Sequence, residues 1–512
     1  MTHREYFQKI NTWDSLSKLI LLSLSVLQIT RWLILPQFMD IYYHLLSAWG
    51  FNQTGGYCGW DFWQYAPFGR VHIYPPFFQI LLALLMKLGF STVFLAKLFE
   101  AVTPVMFLIV LWQFVRNNYS QALAFFTLVA FGSAFAFYLS LINHIPSTFA
   151  LIFGILAFDQ IFKQKILRAV IFLAFCFYTH IGVSWFFVLT LTFYLIGDKQ
   201  YRKSGFLILL LTGILVLPIL IKQISALGLV SVIGLNLGEK FFCQIKIIDY
   251  FLAIGGLFFA LKAKGKYYLF SSLFFASFIF LAYPYRFFSA EGYLPVIFLS
   301  AVFLLNLWER CKLKAALKKI FVLVVFFLLF ISPTLSLSKS TQRWGAICGI
   351  KFSDSVLTGM LSAKGYTMWF PEDYLPAAAL IRANSQEGDI IYSNLGILGP
   401  VLGSISGRAT ANALLTEIKT SQSFNPLLTS KIIVLTKDIN YVFLNNLVKA
   451  YNLQKIGETR LFVVYKNPAS LFKIKVRKAS VPFWMIFLII GAAVAGFWIN
   501  KGRSSHLEKN KK

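Results

Sequence analysis

Residues 37–74 carry the stretch Gln37-Phe-Met-Asp40-Ile-Tyr-Tyr43-His44, then Trp60-Asp61-Phe-Trp63-Gln-Tyr65, then Arg70-Val-His72-Ile-Tyr74. This is a dense run of carboxylates, imidazoles and aromatic rings directly after the first long apolar segment. Ionisable groups beside a membrane-spanning segment are costly to place and mark a functional site by default. Aromatic faces for stacking, with carboxylates and imidazoles for hydroxyls, suit a sugar or a lipid headgroup. An interfacial belt would supply the Trp and Tyr, but not Asp40 at the end of a spanning helix.

The rest of the chain fits that setting. Of 512 residues, 58% are hydrophobic and 13% charged, where a soluble chain carries roughly 25% charged. The formal net charge of +28 does not indicate nucleic acid. Most basic residues lie in short loops between apolar runs, as the positive-inside rule requires. A spanning helix needs roughly 20 apolar residues. On that basis helices are expected at about 16–36, 91–115, 119–141, 146–162, 166–178, 181–197, 205–221, 248–261, 267–282, 292–308, 320–332 and 481–500. This predicts a mainly α, polytopic membrane protein with about 12 spans and both termini on the cytoplasmic side. The first run is long enough to span and follows a polar start, so no cleavable signal peptide is expected. Parity closes if residues 75–88, short and opened by Pro75-Pro76, form a helix in the outer interface. The alternative is that this run spans and a neighbour does not.

From residue 337 to 479 charged and turn residues return. Asp389-Ile-Ile-Tyr, Lys431-Ile-Ile-Val-Leu, Tyr441-Val-Phe-Leu and Leu461-Phe-Val-Val-Tyr read as strands, and residues 374–384 as a helix. The expected organisation is therefore a membrane module over 1–336 with a large first outer loop at 37–90. A small extracytoplasmic α/β domain follows over 337–479, then a last helix and basic tail over 480–512. Lys473, Lys475, Arg477 and Lys478 fall on the outer side, against the charge rule, where they would meet lipid phosphates. Gly396, Gly399, Gly403 and Gly407 lack the strand, GxGxxG, helix order of a nucleotide site. The five cysteines show no metal spacing; Cys58, Cys243 and Cys348 would face outward, leaving one disulfide open.

Four of six histidines fall on the predicted outer side: His44, His72, His144 and His180. Each alone could simply cap a helix at the interface. His144 sits in Leu141-Ile-Asn-His-Ile-Pro146, and His180 follows Tyr178-Thr179. The other dense outer stretch is Tyr283-Pro-Tyr-Arg-Phe-Phe-Ser-Ala-Glu291. Arg286 there is permanently charged and suited to bidentate phosphate recognition, unless it serves only to pair with Glu291. Asp40 is a candidate general base, or with His44 a ligand for a divalent cation such as Mn, Mg or Zn.

These motifs resemble the GT-C superfamily of membrane glycosyltransferases, the group of the oligosaccharyltransferase catalytic subunit, the protein O-mannosyltransferases and the lipid A aminoarabinose transferases. The resemblance is carried by the acidic residue after the first helix in Met39-Asp-Ile-Tyr-Tyr-His44, the juxtamembrane opening Tyr74-Pro75-Pro76, and Lys97 near the start of the next helix. It implies an inverting transferase. The donor would be a polyprenyl-phosphate-linked sugar, the acceptor a glycan, lipid or protein on the outer face. Asp40 would be catalytic and Tyr43, His44, Asp61, His72, His144, His180, Arg286 and Glu291 substrate-binding, with Arg286 on the lipid phosphate. The chain departs from the metal-dependent oligosaccharyltransferases. Its second outer loop offers Asn143 and His144 without a carboxylate. Tyr392-Ser-Asn-Leu-Gly396 stands where they carry a Trp-Trp-Asp-Tyr-Gly signature. Both departures put sequon glycosylation and obligatory metal in doubt. The competing readings are a flippase for a lipid-linked precursor, which predicts pseudo-symmetric halves, and a non-catalytic assembly factor, for which Asp40 is dispensable.

Overall fold

A computed structural model describes residues 3–34, 40–229, 241–263, 265–281, 283–310, 315–340, 343–351, 371–414, 420, 422–438 and 441–485. It divides the chain into two compact units. The first comprises Met1–Phe38, Lys97–Ile221 and Val232–Met368; the second comprises Met39–Ala96, Lys222–Ser231 and Trp369–Lys512.

The first unit is helical. Its core is one large cluster rich in phenylalanine, with Phe107, Phe131, Phe137, Phe158, Phe187, Phe270 and Phe298 all buried. The Arg202–Ser225 helix turns Phe206, Leu210, Ile214, Leu217 and Ile221 outward, a stripe at helical spacing that suits a lipid-facing surface. Close helix approach uses a small residue. A Cβ on Gly256 would stand 1.9 Å from the Leu299 carbonyl oxygen, so the helices Ile247–Ala263 and Leu294–Arg310 pack backbone to backbone there. Basic residues of the predicted inner loops find acids: Arg116 donates to Asp14 at 2.6 Å and Lys163 to Asp159 at 2.5 Å.

Among the described residues four helices are long and apolar enough to cross a membrane: Thr92–Asn118, Ile145–Phe162, Lys199–Ser225 and Glu291–Arg310. Ile166–Thr179 and Ile181–Gly197, with 14 and 17 residues, fall short by themselves, so the described helices do not establish a dozen spans. The continuous helix expected over 119–141 is broken. Gln121–Ser133 and Phe135–Asn143 meet at 82°. Gly132-Ser133 precede Ala134, which leaves the helical region at φ −99°, ψ 71°, as small-residue pairs allow. The Ser133 carbonyl freed by the break accepts from Lys246 Nζ at 2.7 Å. The last helix expected, over 481–500, lies mostly outside the described residues.

The second unit is built on a five-stranded mixed sheet in the order Gln454–Glu458, Phe462–Lys466, Ile432–Thr436, Ile390–Ser393, Ala409–Thr410. The first three strands pair antiparallel and the last three parallel. Ile432–Thr436 is buried along its whole length, which explains its unbroken apolar reading. Tyr441-Val-Phe-Leu, expected as a strand, instead opens the helix Tyr441–Ala450. Leu447, Val448 and Tyr451 recur at helical spacing and pack on Ile433, Val463 and Tyr465. A short apolar run does not distinguish helix from strand, and here burial on one face decided it. The helices Asp40–Thr54 and Phe77–Lys87 belong to this unit too. The segment between the helices Asp40–Thr54 and Phe77–Lys87 forms backbone bonds to the sheet edge: Thr410 N–H donates to the Trp63 carbonyl at 2.9 Å and Ala66 N–H to that of Thr410 at 3.1 Å. Gly56–Tyr57 pairs antiparallel with Val481–Pro482.

Candidate functional site

In the second unit two of the three motifs that carry the resemblance converge. Asp40 opens the Asp40–Thr54 helix and lies half-buried in its first turn, where the helix dipole favours a carboxylate. One turn on, buried His44 is enclosed by Tyr43, Tyr74 and Phe78, ring centroids 4.8, 5.1 and 5.4 Å away. Pro75-Pro76 start the Phe77–Lys87 helix and so place Tyr74 and Phe78 against His44. Tyr42, on the same helix as His44, bonds hydroxyl to hydroxyl with Tyr374 at 3.0 Å.

Gln79 was not singled out in the sequence, yet its Nε2 lies 3.4 Å from His44 Nδ1 and its amide also acts on His72. The available signal was a lone amide on the buried face of an otherwise apolar helix. His72 is enclosed by Phe51, Trp63 and Tyr57. Burial first, then the charges of Lys222 and Arg70, hold it well below the ordinary histidine range. It is a neutral imidazole inside the unit rather than a group on its surface.

Asp61 and Arg70 form a buried clamp, both side chains 1% exposed. Arg70 Nε donates to Asp61 Oδ2 at 3.2 Å and Arg70 Nη2 to the Leu414 carbonyl at 2.6 Å. Gln64 closes the network, its backbone N–H donating to Asp61 and its Oε1 accepting from Leu414 N–H at 2.8 Å. Burial pushes the Asp61 carboxyl up to about 6 against the opposing pull of Arg70. The clamp ties the loop that carries Asp61 and Arg70 to residues 409–414 and engages both oxygens of the Asp61 carboxylate. Asp61→Asn should therefore destabilise the unit by about 3–5 kcal/mol, because it leaves a buried guanidinium without its counter-charge. A lowered thermal midpoint measures this, and an unchanged midpoint would show the clamp to be dispensable.

Hard cations want six or more oxygen ligands, and Asp40 supplies one carboxylate beside an imidazole already engaged by Gln79 and three rings. Among the described residues no three His, Cys, Asp or Glu side chains converge in a way that could hold a metal ion. Cys58 is a buried thiol whose Sγ–H points to the Trp60 carbonyl at 3.3 Å, so it takes no part in a disulfide.

The first unit gathers the other candidates at three helix interruptions. His144 separates Phe135–Asn143 from Ile145–Phe162, and its ring lies 5.7 Å from that of Tyr285. His180 separates Ile166–Thr179 from Ile181–Gly197, and its Nδ1 caps the second helix by accepting from Val183 N–H at 3.3 Å. Arg286 lies in the short helix Pro284–Ser289, ahead of Glu291. Arg286 Nη1 donates to Glu291 Oε1 at 2.5 Å, with the arginine side chain 25% exposed and the glutamate 2%. Both histidines lie within electrostatic range of this pair. The structure thus groups His144, His180, Arg286 and Glu291 in one unit, and Asp40, Tyr43, His44, Asp61 and His72 in the other.

No family model matches the chain, and no curated protein does. Solved structures do. The oligosaccharyltransferase of Archaeoglobus fulgidus, in a complex with Zn and sulfate, aligns over 88% of this chain and 73% of its own, with TM-score 0.56 and 11% identity. ArnT from Cupriavidus metallidurans aligns over 89% and 99%, with TM-score 0.52 and 13% identity. The arabinofuranosyltransferase AftD from Mycobacteria aligns over 89% of this chain and 41% of its own, with TM-score 0.52 and 12% identity. The likeness is one of fold: the protein shares the fold of these structures, in line with the GT-C fold that its motifs lead one to expect.

Proposed function

We propose that the protein is an inverting glycosyltransferase that moves a sugar from a polyprenyl-phosphate carrier to an acceptor on the outer face of the membrane. The observation that carries this reading is the half-buried carboxylate of Asp40 in the first turn of its helix, with the His44, Tyr74 and Phe78 cluster one turn on, within a chain of GT-C fold. Support also comes from two solved relatives of that fold, one in complex with a dolichol-phosphate and one bound to undecaprenyl phosphate.

Transfer with inversion needs three things. The acceptor hydroxyl must lose its proton as its oxygen attacks the anomeric carbon, and Asp40 takes that proton as general base. The bond from the anomeric carbon to the phosphate oxygen breaks on the opposite face. The departing phosphate stays on the lipid and gains charge, which an arginine fork stabilises; Arg286 has this role. The N- and C-termini then lie on the cytoplasmic side, as the loop charges require.

The test offers the purified full-length chain a panel of polyprenyl-phosphate sugars with a membrane-extract acceptor pool. Consumption of one of them with release of the polyprenyl phosphate is the expected result. Transbilayer movement of a lipid-linked precursor with no cleavage of the sugar–phosphate bond would overturn it in favour of a flippase.

A further inference from the structure

Glu291 is the one carboxylate among the four grouped candidates of the first unit, and its two oxygens are used unequally. Oε1 accepts from Arg286. Oε2 is fully buried and has no hydrogen-bond partner among the described residues. A buried carboxylate oxygen without a donor is costly, because the full desolvation penalty stands uncompensated. Helix geometry does not relieve it. Glu291 begins the turn Glu291–Tyr293 just ahead of Leu294–Arg310, and it follows Ala290, whose backbone lies outside the helical region. The groups that act on the carboxylate are Arg286, His180, His144 and the Glu291 backbone N–H. His180 Nδ1 accepts from Val183 N–H and so is not a donor to Glu291.

A cation and an acceptor oxygen therefore stand side by side on one short stretch, the cation partly exposed. The complementary ligand has an anionic group and, beside it, an O–H or N–H donor. A phosphate and the ring hydroxyl or amine next to a sugar's anomeric carbon stand in that relation. A phosphate alone would use only Arg286.

We propose that Glu291 is a specificity-determining residue whose Oε2 accepts a hydrogen bond from a hydroxyl or amine of the donor sugar, while Arg286 holds the adjoining phosphate. The proposal rests on the reading of the protein as a lipid-phosphate-sugar transferase. A site built around a buried acceptor favours ligands that supply its donor and rejects those that lack it, since the acceptor would otherwise stay unpaired. Glu291 thus separates sugar-loaded carrier from the spent lipid phosphate, which the enzyme must release after each transfer.

The experiment compares two probes on the full-length protein in detergent, undecaprenyl phosphate and undecaprenyl-phosphate glucose, by equilibrium binding. The wild type should bind the glucosyl lipid about tenfold or more tightly than the bare phosphate, the scale of one hydrogen bond to a charged group. Glu291→Gln should bring that ratio close to one while undecaprenyl phosphate binds at least as well as before. Glu291→Asp, which keeps the charge and withdraws the oxygen, should lower the ratio partway. A ratio unchanged in both variants, or a wild type with no preference, overturns the role of Glu291. Equal loss of both lipids also overturns it, since Glu291 would then only hold Arg286 in place. Wild type that binds neither lipid would instead overturn the transferase reading on which the proposal rests. Thermal midpoints of both variants identify any that fail to fold, in which case Glu291→Asp carries the comparison.

Discussion

Asp40→Asn is expected to lower turnover of the polyprenyl-phosphate sugar by about 10²–10⁴ while the protein accumulates and melts as the wild type does. The rate loss follows from removing a positioned base, whose contribution to proton transfer is of that size. The retained stability follows from where Asp40 sits. It occupies the first turn of the Asp40–Thr54 helix, half-buried. Its charge there adds roughly 0.3–1 kcal/mol through the helix dipole, and asparagine keeps both shape and capping ability. Catalysis and folding are thus separable at this residue. They are not separable at Asp61, whose carboxylate is enclosed with Arg70 and whose loss should show as instability first. Turnover within a factor of two of wild type in Asp40→Asn would refute the general base and favour an assembly factor, for which Asp40 is dispensable. The measurement is initial rate at saturating lipid, with thermal midpoint alongside.

Much of the fold was legible because its signals are local. Runs of apolar residues mark helices whatever they pack against, and the helices at 92–118, 145–162, 202–225 and 294–310 lie close to where hydropathy puts them. The strands Ile390–Ser393, Ile432–Thr436 and Phe462–Lys466 were legible for the same reason. The break at Ala134 was not. Its Gly132-Ser133 signal is weak, and the Lys246 ammonium that satisfies the freed carbonyl is 113 residues away. Tyr441–Ala450 failed because four apolar letters carry no period. The site was half legible. Residue type and loop charge put the four inner histidines and Asp40 in one set, whereas the structure divides them, His144 and His180 in the unit of Arg286 and Glu291, and His44 and His72 in the unit of Asp40. Composition could not show that Asp61 and His72 are enclosed. Both look like surface groups in a polar loop, and only the return of residues 409–414 against that loop covers Asp61.

Arg286→Lys is expected to weaken binding of undecaprenyl phosphate by about tenfold or more although the positive charge is kept. The guanidinium is a planar fork that can hold Glu291 with one edge and a phosphate with another, whereas an ammonium is a point charge that cannot reproduce that geometry. The pair with Glu291 does not by itself decide the matter. It is observed at 2.5 Å, as a purely structural clamp would be. The two readings part on stability. A buried carboxylate stripped of its cation costs about 3–5 kcal/mol, so Arg286→Gln should lower the thermal midpoint on either reading. Lysine still supplies a counter-charge, so Arg286→Lys should hold most of the midpoint. On the phosphate reading affinity falls where stability does not. On the clamp reading both are nearly preserved, and Glu291→Gln and Arg286→Gln lose stability in equal measure. Undiminished undecaprenyl phosphate binding in Arg286→Lys, with matched midpoint losses in the two Gln variants, would remove Arg286 from the site. It would leave His144 and His180 as the candidates of that unit for the phosphate.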